Sequence, residues 1–480
     1  MMPRQRNSLC LSFMCKVPFL SFILVLLLAA FWLTMPTGCA NIIPPSGGPR
    51  DTLPPQLVSA TPGDSTLNFS ANRITLTFDE YVDLQEVQGN LLFTPTFNPD
   101  KNPEVSVRGR AVTVRFRDSL LRNTTYVLNF GNAIRDINES NPVRDFTYVF
   151  STGSALDSLT VSGKVVLADN GKTDSTLIVL LHTNLADSAV RKERPVYMAR
   201  VANDGSFRFR NLPGRSFAIY ALGDAGIMRR YQDSTRQYFA FANAPVVAGT
   251  TKDLTLYAYR WTQATTAPTT SGPAVKGAGE RRLRLAPASG TVDLLDDYIL
   301  NFPVPIRRFD STLISLSTDS SFTPVAFRTL LDTTATQLRI RSQWREGTPY
   351  NLILSQNFAA DTAGRQLLKA DTLRFTTRKI SDYGRINVRI RNIDTARSPV
   401  LQFIQGGQVV FAASVRSGGF SSRLFLPGEY ELRILYDTNG NGRWDPGIFG
   451  SEKRQPEIVQ PISQGINVKA DWDNEFERVL

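Results

Sequence analysis

The sequence predicts an all-β protein built of tandem antiparallel β-sandwiches. Apolar residues recur at every second position in short runs, and these runs are separated by Gly, Asn and Asp turns. Helical period is almost absent. The whole pattern also returns in the second half of the chain at matching spacing.

The runs appear in order along the chain. "NRITLTFDEYV" sets Ile74, Leu76 and Phe78 on one face, and "RAVTVRFRD" does the same with Val112, Val114 and Phe116. "GSFRFRNLPG" places Phe207 and Phe209 after an Asn-Asp-Gly turn at 203–205. In the second half, "YILNFPVPI" (298–306) matches "ITLTFDEYV" (74–82), "EGTPYNLIL" (346–354) matches "RNTTYVLNF" (122–130), and "ADTLRFTTR" (370–378) matches "RDFTYVFSTG" (144–153). Phe78 to Tyr126 and Phe302 to Tyr350 are both 48 residues, and Asp136 to Phe150 and Asp361 to Phe375 are both 14. Repeats near 100 residues are duplicated domains rather than solenoid units. The segments that follow repeat too: "LTVSGKVVLADNG" with "FRNLPGRSFAIYALGD", then "GRINVRIRN" with "LFLPGEYELRILYD".

The N-terminus reads as an export signal. Arg4, Arg6 and Lys16 precede an uncharged apolar run of 17 residues, Val17 to Leu33, and small residues lead into Cys39. A retained membrane anchor is the alternative for a run of this length. The small-small-Cys ending resembles a bacterial lipobox, with Pro36 standing where Leu is usual. That resemblance implies that Cys39 is acylated and begins the mature chain, anchoring it to a membrane. "ANIIPPSGGPRDTLPP" then serves as a Pro/Gly tether. Cys10 and Cys15 would leave with the leader, so the mature body would have neither a disulfide nor a free thiol.

The block "TPG…ITLTFDE…TTYVLNF…D…YVFSTG" resembles the SbsA-type bacterial Ig-like domain. "V-x-G-x-V…F-x-F-x-N-L-P-G…Y" resembles the transthyretin-like sandwich of carboxypeptidase regulatory and CnaB-type domains. The whole arrangement resembles Bacteroidetes Ig-like lipoproteins. These resemblances imply a pair of Ig-like and transthyretin-like sandwiches repeated twice. The expected divisions are a lipoprotein signal at 1–38, a tether at 39–53, an Ig-like domain at 54–154, a transthyretin-like domain at 155–261, a Thr/Pro-rich linker at 262–280, a second Ig-like domain at 281–378 and a second transthyretin-like domain at 379–480.

Catalytic chemistry finds little support. His182 is the only histidine and ends an apolar strand, where packing is commoner than catalysis. No His-Glu-x-x-His, Gly-x-Ser-x-Gly or phosphate-cradling Gly-x-x-x-x-Gly-Lys-Ser/Thr motif occurs. The chain carries +11, or +8 once the three leader cations are lost. Its basic residues lack the aromatic interleaving of nucleic-acid modules, so no nucleic-acid partner is expected. A non-catalytic structural or binding role in the cell envelope is expected, with the membrane engaged through the lipid and an envelope protein or glycan as partner. An accessory lipoprotein of an outer-membrane assembly or transport complex and a carbohydrate-binding adhesin are the alternatives. Absence of acidic residues between Cys39 and Asp51 favours the periplasmic face of the outer membrane over the cell surface.

One stretch resembles a cation site. In "DTNGNGRWDPG" (437–447), Asp437, Asn439, Asn441 and Asp445 stand at positions 1, 3, 5 and 9 of an EF-hand-like loop, with Gly442 at 6. Position 12 is Ile448 rather than Glu, and the flanks read as strand; Glu452 is the nearest carboxylate that could complete the set. Calcium is the cation such a set would take. A hairpin turn is the favoured reading, since both Asn-Gly pairs supply left-handed conformations cheaply, and no cofactor is expected. On that reading, replacing Asp437 and Asp445 by Asn costs little.

Overall fold

The structure, a computed structural model, describes residues 50–223, 229–232, 234–261, 282–287, 290–318, 322–450 and 452–480. The leader, Cys39, the 262–280 linker and Asp224 lie outside the described residues. The strands fall into four successive blocks.

The first block contains β1 (Leu57–Thr61), β2 (Arg73–Phe78), β3 (Val82–Leu84), β4 (Leu92–Thr94), β5 (Glu104–Arg108), β6 (Ala111–Arg115), β7 (Thr125–Gly131), β8 (Ile134–Asp136) and β9 (Phe146–Ser151). They form sheets β1-β2-β6-β5 and β4-β7-β9, with β3 paired to β8. Period-two alternation sends Ile74, Leu76, Phe78, Val112 and Val114 inward against Tyr126, Leu128, Phe130, Tyr148 and Phe150.

The second block contains β10 (Leu159–Leu167), β11 (Ile178–His182), β12 (Tyr197–Arg200), β13 (Ser206–Leu212), β14 (Ser216–Leu222), β15 (Phe239–Phe241), β16 (Val246–Val247) and β17 (Leu254–Ala258). Sheet β13-β10-β17 faces sheet β12-β11-β14-β15, and β16 also pairs with β14.

The third block contains β18 (Ala286–Pro287), β19 (Thr291–Val292), β20 (Tyr298–Asn301), β21 (Ile306–Phe309), β22 (Ile314–Thr318), β23 (Thr323–Pro324), β24 (Phe327–Leu331), β25 (Gln337–Ser342), β26 (Pro349–Leu354), β27 (Ala359–Asp361) and β28 (Asp371–Thr377). Its sheets run β18-β20-β25-β24 and β19-β28-β26-β22-β23, with β21 paired to β27.

The fourth block contains β29 (Gly384–Arg391), β30 (Pro399–Gln405), β31 (Gln408–Ser414), β32 (Gly419–Phe425), β33 (Gly428–Tyr436), β34 (Ile458–Pro461), β35 (Ile466–Val468) and β36 (Asp473–Val479). Sheets β32-β29-β36 and β31-β30-β33-β34, with β35 on β33, repeat the second block strand for strand.

The all-β, sandwich-forming class expected from the sequence holds. One detail departs from a purely antiparallel plan. β10 pairs in parallel with β17, β19 with β28, and β29 with β36; in the second and fourth blocks this is the last strand returning beside the first.

The equal spacings in the sequence have a structural cause. The Leu121 N–H donates to the Tyr126 hydroxyl at 2.8 Å, and the Arg345 N–H to the Tyr350 hydroxyl at 3.0 Å. Thr152 Oγ1 accepts from Thr124 N and Thr377 Oγ1 from Thr348 N, both at 3.0 Å. Asp136 and Asp361, each 2 % exposed, end equivalent strands and hold the loops that follow. Asp136 accepts from the backbone of Glu139, Ser140 and Asn141, and Asp361 from Ala363 and Arg365. Burial pushes both carboxyls up, but these bonds, joined at Asp361 by the Arg365 guanidinium, hold them below the usual carboxylate range.

Candidate functional site

The 437–457 loop connects β33 to β34, and its polar half is folded by its own carboxylates. Asp437, 2 % exposed, accepts backbone N–H bonds from Gly440 (2.7 Å) and Asn441 (3.2 Å) on Oδ1 and from Gly442 (2.6 Å) on Oδ2. Asn439 Oδ1 accepts from Asn441 N at 3.0 Å, and Asn441 Oδ1 from Arg443 N at 2.7 Å. Gly440 and Gly442 both stand at φ 73°, the left-handed region their Asn-Gly pairs were expected to supply. The four residues marked in the sequence are therefore brought together.

Their donor chemistry does not fit a cation as arranged. The side-chain nitrogens of Asn439 and Asn441 both point at Asp445 Oδ2, the latter at 2.8 Å. A hard cation needs oxygens converging on it, whereas here two amide donors meet one carboxylate. Among the described residues, no group of three or more His, Cys, Asp or Glu side chains is placed to hold a metal.

Glu457 was not singled out in the sequence, yet it closes the loop. It is 5 % exposed; its Oε1 accepts from Thr438 N (2.7 Å) and Oγ1 (2.8 Å), and its Oε2 from Asp445 N (3.1 Å). Glu452, the carboxylate nearest in sequence, is exposed instead. The expectation that Asn is harmless at both 437 and 445 is corrected for Asp437. An amide there would turn an N–H donor toward an N–H donor inside a buried site.

The apolar half of the loop joins the second block to the fourth. Phe449 lies with its ring centroid 4.8 Å from Phe239, 5.1 Å from Phe241 and 5.8 Å from Tyr220. The Arg191 guanidinium sits 4.6 Å over Tyr231, and the Lys453 ammonium 5.6 Å over Phe449. Lys453 also pairs with Asp187. Gln455 Nε2 donates to Phe241 O (3.0 Å) and Asn243 Oδ1 (2.8 Å), and Val459 N donates to Ala168 O (2.9 Å). Trp444 packs against both blocks while its indole N–H donates to Glu457 O at 2.8 Å. A Cβ on Gly447 would stand 2.6 Å from Cε1 of the buried Tyr259, so glycine is what lets the backbone approach. A Trp and an Ile-Phe pair within a polar loop were the only sequence signal of this contact.

His182 is 1 % exposed, edge-on to Tyr220 at 5.7 Å. Neither ring nitrogen has a hydrogen-bond partner among the described residues. Desolvation pushes its pKa down to about 4 against the raising effect of Glu193, so the ring is neutral at pH 7.

Fold and site together describe a tandem β-sandwich protein whose buried carboxylates and aromatics hold loops and blocks in place. Residues 51–152 match the family described as the bacterial Ig-like domain. No curated protein matches the chain. Among solved structures it is similar to the Bacillus anthracis TIE protein, at 9 % identity over 91 % of this chain and 75 % of that one, with a TM-score of 0.17. It is also similar to the N-terminal part of the bacterial S-layer protein SbsC, at 14 % identity over 43 % of this chain and 44 % of that one, with a TM-score of 0.16. A third similarity is to BcpA, the major pilin subunit of Bacillus cereus, at 10 % identity over 66 % and 98 %, with a TM-score of 0.14. TM-scores this low carry no argument about this chain.

Proposed function

We propose that the chain is a lipid-anchored, non-catalytic structural and binding protein of the cell envelope. The SbsA-type Ig-like and transthyretin-like blocks, with bounds at 54–154, 155–261, 281–378 and 379–480, stand on a tether that begins at an acylated Cys39. The observation that carries this reading is how the 437–457 loop is used. Its carboxylates bind backbone N–H groups, and Phe449 and Trp444 bind the second block to the fourth, so this polar constellation serves rigidity. The bacterial Ig-like match over 51–152 supports a scaffold role. The outer membrane is the proposed location, its periplasmic face favoured. No cofactor is required.

Metabolic labelling with a palmitate analogue tests the anchor. Wild type takes the label and Cys39→Ser does not; equal labelling of both would remove the lipoprotein reading. Protease treatment of intact cells tests the face, because digestion of the protein there would place it on the surface.

A further inference from the structure

We propose that β31 is a self-association edge, pairing antiparallel with β31 of a second copy. The internal repeat supplies the comparison. In sheet β31-β30-β33-β34, β31 occupies the edge that β12 occupies in β12-β11-β14-β15. The β12 edge is covered: the segment following β4 reaches it, with Thr96 N donating to Val196 O at 2.9 Å, and Arg200 Nη1 donates to Asn129 Oδ1 on β7 at 2.9 Å. Tyr197 and Ala199 on β12 face the block's own core and are buried there.

Among the described residues, the second pair of blocks lacks that cover. The strand equivalent to β4 is β22, and its outer edge is taken by its own neighbour β23, with Ser317 opposite Pro324 and Thr318 opposite Thr323. Among the described residues β31 pairs only with β30. Val409, Val410 and Phe411 are 41 %, 52 % and 41 % exposed in succession. Unpaired backbone groups along such an edge are a template for another strand.

Strand chemistry selects the occupant. "QVVFAAS" has no charge and no proline, two of the devices that block edges; a bulge, a third, sits at Val410. About a two-fold axis, an antiparallel pair sets each residue opposite another of the same seven, so no like charges oppose. A bulge at Val410 limits the regular register to Phe411–Ser414, opposite Phe403 to Val400 on β30. Such a short pairing buries less than the roughly 1,000 Å² of a stable interface, so the association is weak and concentration-dependent.

The test uses the full chain in detergent with Cys10, Cys15 and Cys39 replaced by Ser, which leaves no cysteine. Sedimentation equilibrium should show a monomer–dimer equilibrium that Val410→Lys with Ala412→Lys weakens roughly tenfold or more. Leu330→Lys, on the exposed edge strand β24, should leave it unchanged. Single cysteines at positions 409 to 414 should give oxidative dimers peaking where a residue lies opposite itself, a readout that does not depend on the lysine variants folding. A chain that stays monomeric at high concentration, a dimer indifferent to the lysines, or cross-linking as strong at Leu330→Cys as along β31 would each overturn the proposal.

Discussion

Asp437→Asn separates a carboxylate that folds the loop from one that decorates it. Asp437 is buried and receives three backbone N–H groups at 2.7, 3.2 and 2.6 Å, two on one oxygen and one on the other. Hydrogen bonds to a charged group contribute roughly 1.5–3 kcal/mol each, against about 1 for a neutral pair. Asn keeps one oxygen, so the pair on Oδ1 survives in weakened form. The bond from Gly442 is lost and two donors face each other. The expected cost is about 2–4 kcal/mol. Asp445→Asn should cost about 1 kcal/mol or less, because Asp445 Oδ2 accepts only the side-chain amides of Asn439 and Asn441 in a half-exposed setting. Urea unfolding followed by tryptophan fluorescence reads both, Trp444 lying within the loop. Several blocks unfold in one chain, so the transition that includes Trp444 is the one compared. Equal midpoints for the two variants would refute the reasoning.

Millimolar calcium should leave the melting temperature of the wild type unchanged; a site filled to a hundred times its Kd would add about 2.7 kcal/mol, and a rise abolished by Asp437→Asn with Asp445→Asn would make those residues ligands. Phe449→Ala removes a half-buried ring from an aromatic cluster, at about half the 3–5 kcal/mol of a fully buried Phe, roughly 1.5–2.5 kcal/mol, and amide exchange of β15 should rise with it. Tyr126→Phe and Tyr350→Phe each strip the acceptor from one backbone N–H and should cost about 1–2 kcal/mol apiece, in like amounts because the sites repeat; unlike values from denaturant unfolding would count against equivalence. For His182, the folded pKa of about 4 lies below the unfolded value near 6.5. Between those values the unfolded chain holds a proton that the folded chain does not. Stability therefore falls as pH drops from about 6.5 to 4 and levels off below, by about 3 kcal/mol in all. His182→Leu should flatten that slope in a pH series of melting curves.

The sequence alone determined the all-β class, the duplication and the turn character of 437–442. Each is a local matter: alternation of two residues sets which face a side chain takes, and Asn-Gly pairs favour left-handed backbone wherever they stand. The matched spacing of Asp136–Phe150 and Asp361–Phe375 was legible for the same reason, since one loop geometry was copied with its carboxylate. Glu457 was not legible, because a carboxylate that accepts from Thr438 and Asp445 looks in sequence like any other acid. Nor was the meeting of Phe449 with Phe239 and Phe241, about two hundred residues earlier. A contact between distant blocks leaves no period in either segment, and a half-buried aromatic in a loop reads like an exposed one. The tertiary structure alone decided that β12 is covered while β31, at the same place in the repeated sheet, has no outer neighbour among the described residues, because covering depends on which neighbouring edge is free and β23 had already taken the one beside β22.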